Sequence, residues 1–262
     1  GRLPQPEQAN AETDITATVP VTAESLVSST SFPPTISTSI LKTVPSGKFF
    51  LDVCSGVTRP LSTAVLEHGH SVLSFDVLLD SSMDILSDAA YEDLLRVASS
   101  GQVGYGAASP SCCEYSRLKL RDDDGPKALR SPEHLSGLPN LTPWELQRVQ
   151  ESFMMLSRCV EVLTLVFQAG VHVHLDQPLN AMSWLEKVVR QFLQLIGASC
   201  INVAACAYEM DVYKAWMFAS SFTGLRPLGC ICQHPPNSHD RLQGLRDDSG
   251  AFASRATAKC TQ

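Results

Sequence analysis

The sequence predicts an α/β domain built on a mainly parallel sheet, and three observations predict it. Short apolar runs of strand length alternate with segments of helical period from residue 47 onward. Capping residues and glycines stand where those helices should start and stop. The 262 residues are 44% hydrophobic, enough for one sizeable core.

Lys48–Val53 reads as a buried first strand, ended by Cys54, Ser55 and Gly56. Pro60 suits the first turn of a helix that runs to about His68 and stops at Gly69. Ser71–Phe75 is the second strand, closed by Asp76. Tyr91, Leu94, Leu95 and Ala98 are spaced i, i+3, i+4, i+7, the stripe of an amphipathic helix. Gln102–Ala108 forms a third strand of small residues. Thr142, Pro143 and Glu145 supply an N-cap, an N1 proline and the acid of a capping box, opening a long helix that ends at Gly170. Val171–Leu175 follows as a strand with His172 and His174 on one face. These two histidines read as strand residues with local partners. Ser183 and Glu186 predict a second capping box, for a helix to about Ile196, with Gly197 as its stop. Cys200–Cys206 and Ala215–Phe222 read as two last strands, expected to form an antiparallel hairpin. Trp144, Trp184 and Trp216 fit packing within these elements.

Residues 1–45 differ in kind. They hold 20 Ser, Thr or Pro and one aromatic residue, Phe32, too little apolar surface to offset backbone ordering. The expected organisation is a disordered leader over 1–45 and one domain over 46–262. The chain begins at Gly1 rather than Met, which reads as a fragment or a processed product. Apolar runs fall short of the roughly 20 residues a bilayer needs, so no membrane span is expected. Nine cysteines, an odd number, in a chain with a real core read as free thiols in an intracellular setting. The net charge of −7 argues against a protein that grips nucleic acid mainly through a basic surface. A substrate strand held in a local groove remains compatible with it.

Ligands of parallel sheets bind beyond the carboxyl ends of the strands. There the first strand gives Asp52, Cys54, Ser55 and Gly56, a small-residue turn whose amides can face an anion. Asp76 follows 20 residues after Gly56, where an acid can accept hydrogen bonds from ribose hydroxyls. An ordinary strand-to-helix connection with Asp76 as a cap is the competing reading. The third strand runs into Pro110, Ser111, Cys112, Cys113, Glu114, Tyr115 and Ser116. A cysteine on such a loop can be a nucleophile, or can simply pack.

The Pro110–Ser116 loop resembles the Pro-Pro-Cys loop of the DNA cytosine-5 methyltransferases, and Leu51–Gly56 is similar to their first motif. Asp76 and Met83–Ile85 stand where that family has its ribose-binding acid and adenine-side residues. Leu175–Pro178 stands where it has Glu-Asn-Val or Glu-Asn-Pro. Gly125–His134 and Lys214–Ser221 look similar to methyltransferase-like modules of retrotransposon polyproteins, which would make the chain part of a larger polyprotein. The resemblance implies a Rossmann-like class I methyltransferase fold and S-adenosylmethionine as cofactor. It places that cofactor on Asp52, Cys54, Ser55, Gly56, Arg59, Asp76, Asp84 and Pro110. It implies DNA, alternatively RNA, as substrate, and a nuclear setting where the substrate is DNA. Cys112 would add to C6 of a flipped cytosine while Asp176 protonates N3. The chain departs from the family pattern at several points. Ser111 replaces the second proline, Asp176 replaces Glu, Gln177 replaces Asn, and Thr58 and Arg59 replace glycines. A catalytically inactive binding module and a metal-stabilised structural domain are the rival functions.

The last cysteines and histidines form Cys230-x-Cys232-x-His234-x4-His239, with Cys206 upstream. These ligand types suit zinc, but Cys-x-Cys is an unusual spacing for a structural finger. The segment is read as a surface or interface loop and no metal is assigned. The acid run 122–124 reads as a solvated turn.

Overall fold

The computed structural model describes residues 44–121, 125–208, 214–235 and 238–239. Residues 1–43 of the expected 1–45 leader, the acid run 122–124 and Cys260 lie outside the described residues.

Among the described residues six strands form one sheet: β1 (Phe49–Val53), β2 (Val72–Phe75), β3 (Val103–Ala108), β4 (Val173–Pro178), β5 (Ser199–Ala204) and β6 (Ala215–Ser220). Their spatial order is β2-β1-β3-β4-β6-β5. β1 pairs in parallel with β2 and β3, and β3 with β4; β6 runs antiparallel between β4 and β5. The fold is therefore α/β with a mixed, mostly parallel sheet, and the expected closing hairpin is β5–β6. Four α-helices flank it: α1 (Pro60–Glu67), α2 (Asp88–Ala98), α3 (Pro143–Gln168) and α4 (Lys187–Leu195).

The two faces of the sheet differ. Phe49, Leu51 and Val53 of β1, with Val173 and Leu175 of β4, join Leu94 of α2, Leu163 of α3 and Val189 of α4 in the main core. The alternate residues Phe50, Tyr105 and His174 face Leu61 and Val65 of α1 across a cavity of about 420 Å³. Every residue of β1 is buried, as a central parallel strand requires. Gly69, Gly170 and Gly197 all take positive φ where the helices end, the conformation that suits glycine there.

Helix α3 carries the predicted capping box. Thr142 Oγ1 accepts from the Glu145 N–H at 3.3 Å, and Glu145 Oε2 accepts from the Thr142 N–H at 2.8 Å. The second box does not form. Residues Met182–Leu185 make a 3-10 turn, α4 starts at Lys187, and Glu186 makes no capping bond. Ser183 and Glu186 are both drawn into tertiary contacts described below, and these outcompete a local cap. The strand expected at 171–175 begins instead at Val173 and continues to Pro178, because its antiparallel partner β6 reaches that far. β5 stops at Ala204, so Cys206 lies in a 3-10 turn over Ala205–Tyr208. Trp184 is half-buried and Trp216 buried, but Trp144 is 64% exposed. It sits in the first turn of α3 beneath the guanidinium of Arg148, 4.7 Å from the ring centre. Among the described residues no helix is long and apolar enough to cross a membrane.

Candidate functional site

The carboxyl ends of β1, β3 and β4 bring together most of the residues that the sequence singles out. After β1 the chain turns sharply, with Cys54 at φ 57° and Gly56 at φ 70°. The Cys54 N–H donates to the Phe75 carbonyl at 2.8 Å, and the Gly56 N–H to Asp76 Oδ2 at 2.9 Å. Asp76 Oδ1 accepts from Leu78 N–H at 2.8 Å, so this carboxylate braces the turn while each oxygen keeps a lone pair. Ser55 is buried and its hydroxyl has no hydrogen-bond partner among the described residues. A buried polar atom without a partner is costly by about 1–3 kcal/mol, so it marks a place where a ligand atom would be welcome.

Asp52 is buried beneath this turn and accepts from Ser62 Oγ of α1 at 2.5 Å. Burial raises its carboxyl to about 6, against the Ser62 hydrogen bond that lowers it. The Cys54 side chain belongs to the core, where its sulfur lies 3.7 Å from that of Cys159 on α3. That hydrogen bond, then burial, holds the Cys54 thiol well above its ordinary value. Arg59 is exposed, at φ 47°, just ahead of α1. Asp84 is half-buried, and its Oδ1 accepts from the Leu86 N–H at 2.9 Å.

The loop after β3 is fixed at both ends. The buried Pro110 offers its carbonyl to the side-chain amide of Gln177, whose Oε1 accepts from Ser183 Oγ at 3.2 Å. Cys112 is half-buried and Cys113 exposed. A 3-10 turn over Cys113–Tyr115 follows, with the Tyr115 N–H donating to the Cys112 carbonyl at 2.9 Å. Tyr115 is buried and its hydroxyl donates to Glu186 Oε1 at 3.0 Å. The Arg130 guanidinium lies 4.1 Å from the Tyr115 ring centre and 3.2 Å from Glu186. It also donates to the carbonyls of Leu135 and Val149.

Asp176, buried in β4, accepts from Ser109 Oγ at 2.5 Å. Ser109 in turn donates its N–H to the Val53 carbonyl at 3.0 Å, so one residue joins the ends of β1, β3 and β4. Burial lifts the Asp176 carboxyl to about 7; Ser109 opposes the rise and Asp52 adds to it. His174 Nε2 stands 3.8 Å from Asp176 Oδ1 but offers it no charge, since burial lowers the imidazole to about 4. The Cys112 thiol is raised by burial and lowered by the field of Lys214, with a smaller upward push from Asp176. Cys112, Asp176 and Lys214 therefore share one neighbourhood. Lys214 also lies over the Trp216 ring, 4.7 Å from its centre.

Four contributors were not legible as site residues from the sequence. Ser109 precedes the Pro110–Ser116 loop and Lys214 opens the Lys214–Ser221 segment, neither with a role that spacing assigns. Arg130 lies in the Gly125–His134 segment, and an arginine that becomes 1% exposed carries no local signal. Glu186 passed for a helix cap. Compared with models of known protein families and with curated proteins, the chain matches none.

Proposed function

We propose that the chain is a methyltransferase that uses S-adenosylmethionine to methylate C5 of cytosine, with DNA as the first substrate to test and RNA the second. One observation carries the reading. A buried carboxyl raised to about 7, Asp176, sits beside the half-buried Cys112 on a loop held from two sides. Addition of a thiolate to C6 of cytosine needs an acid that is still protonated near neutral pH, so that N3 receives a proton as the ring gains electrons. Burial makes Asp176 such an acid. The order of the sheet supports the same reading, since a parallel sheet closed by an antiparallel hairpin is what a class I methyltransferase fold calls for.

In this reading Cys112 Sγ bonds to C6 and opens the C5–C6 double bond, while Asp176 delivers its proton to N3. Later loss of the C5 proton to water restores the double bond and expels the Cys112 thiolate, and N3 returns its proton to Asp176. S-adenosylmethionine, when bound, supplies the methyl group as an electrophilic sulfonium. The residues beyond β1 suit that cofactor. The unpartnered Ser55 hydroxyl and the turn amides can take its carboxylate, and the spare lone pairs of Asp76 can accept from its ribose. Asp84 stands on the adenine side, and Gln177 does for Pro110 what the shorter Asn would do in the family pattern.

A second reading, a module that binds cofactor without turnover, is favoured by the thiol itself, since burial raises Cys112 and the reaction needs its thiolate. DNA carrying 5-fluorocytosine separates the two in the presence of S-adenosylmethionine. The enzyme forms a covalent adduct that Cys112→Ser abolishes; no adduct from either chain refutes catalysis. Calorimetric titration with S-adenosylmethionine then tests the cofactor alone. Asp76→Ala should weaken binding at least tenfold, about 1.4 kcal/mol, and absence of binding by the unaltered chain sinks both readings.

A further inference from the structure

We propose that Cys206, Cys232, His234 and His239 form a structural zinc site that fastens the chain after β6 to the edge of the sheet. One ligand atom from each of these four residues lies within 4.8 Å of the other three. Cys232 Sγ is 3.6 Å from His234 Nδ1 and 2.9 Å from His239 Nε2. The two imidazoles stand nearly perpendicular, 82° between planes with centres 4.7 Å apart, so both rings present a nitrogen to the same sulfur. Zinc with sulfur at about 2.3 Å and nitrogen at about 2.0–2.1 Å in a tetrahedron needs ligand atoms about 3.3–3.8 Å from one another. The four atoms already bracket those separations. Two thiolates and two imidazoles fill every position of a tetrahedral ion, which makes a closed structural site and not a catalytic one.

The backbone explains why the ligand set differs from the one the sequence suggests. β5 is an edge strand, and Cys230 pairs with it. The Cys230 N–H donates to the Asn202 carbonyl at 2.9 Å, and the Ala204 N–H donates to the Cys230 carbonyl at 3.1 Å. The Cys230 sulfur points at the Ala204 carbonyl, 3.8 Å away. Cys230 thus serves as an edge-strand residue. The place it would have taken in a Cys-x-Cys pair goes to Cys206, in the 3-10 turn directly after β5. What remains, Cys232-x-His234-x4-His239, has the His-x3–5-His spacing usual in zinc sites. The Tyr208 hydroxyl, donating to the Leu228 carbonyl at 3.1 Å, ties the same two segments a second time. A metal here joins residues far apart in sequence across the strand end, where packing is thin: Ile231 is 73% exposed.

The test uses the full chain, purified without a metal-affinity tag and dialysed against zinc buffered by a weak chelator. Metal analysis should find about one zinc per chain. Replacing it with Co(II) should give the visible bands and thiolate charge-transfer absorption of a tetrahedral S2N2 site. Cys206→Ser and His239→Ala should lose the stoichiometric metal, whereas Cys230→Ser should retain it. Zinc should also raise the thermal midpoint of the unaltered chain and leave that of Cys206→Ser unchanged. The proposal is overturned if the unaltered chain binds no zinc, if cobalt gives an octahedral spectrum, or if Cys230→Ser loses the metal while Cys206→Ser keeps it. Because the Co(II) spectrum is read on the unaltered chain, a variant that fails to fold does not blunt the test.

Discussion

Replacing Asp176 by Asn should make the protein more tolerant of alkaline pH. Asp176 is 8% exposed, its side-chain hydrogen-bond donor among the described residues is Ser109, and the nearby His174 is neutral. Its value in the folded chain is about 7 against an ordinary 3.8. A carboxyl raised on folding favours the folded state fully only below its unfolded value, and that advantage drains away as pH rises through the folded one. At pH 5 the unfolded chain has already ionised, which costs the fold roughly 2 kcal/mol; by pH 8 the loss is roughly 4 kcal/mol. Asparagine keeps an acceptor for Ser109 and has no charge to bury. The stability difference between Asp176→Asn and the unaltered chain should therefore shift in favour of the variant by roughly 2–3 kcal/mol between pH 5 and pH 8. The difference also carries the influence of Asp176 on its neighbours Asp52 and His174, which titrate in both proteins. Urea unfolding at the two pH values, followed by far-UV circular dichroism, measures it. An equal difference at both pH values would refute the premise that Asp176 stays protonated near neutrality, and with it the proton donor of the proposed reaction.

His174 gives the opposite sign. Its imidazole is lowered to about 4, so stability is lost as pH falls from about 6.5 to 4, and His174→Phe should remove up to about 3 kcal/mol of that acid sensitivity in the same unfolding assay. Arg130→Met leaves Glu186 buried with only the Tyr115 hydroxyl for company, a loss of about 3–5 kcal/mol by urea unfolding, whereas Tyr115→Phe should lose only about 1 kcal/mol.

The helices and strands were legible wherever local chemistry decides them. Thr142 and Glu145 announce α3 because a capping box is a contact between neighbours in sequence. Ser183 and Glu186 show the same pattern and deceive, because Arg130 reaches Glu186 from far away in the chain and Gln177 at the end of β4 takes the Ser183 hydroxyl. The strand ends near Asp52, Asp76, Cys112 and Asp176 could be placed from the alternation of strand and helix. The protonation of Asp176 could not, since it depends on burial and on an aspartate more than a hundred residues upstream. The C-terminal ligands show the same division. Their residue types were visible, but the choice of Cys206 over Cys230 depends on a single edge pairing.

The Gln177 side chain, held between the Pro110 carbonyl and Ser183, has a consequence for motion. It is a strut anchored next door to Asp176, so the loop bearing Cys112 cannot swing outward without first breaking its tie to the strand that bears the acid. Thermal breathing of this region should then move sulfur and carboxyl as one body. In hydrogen exchange the amides of Ser109, of 111–115 and of Asp176 would open together, at a shared rate, instead of fraying from the loop inward.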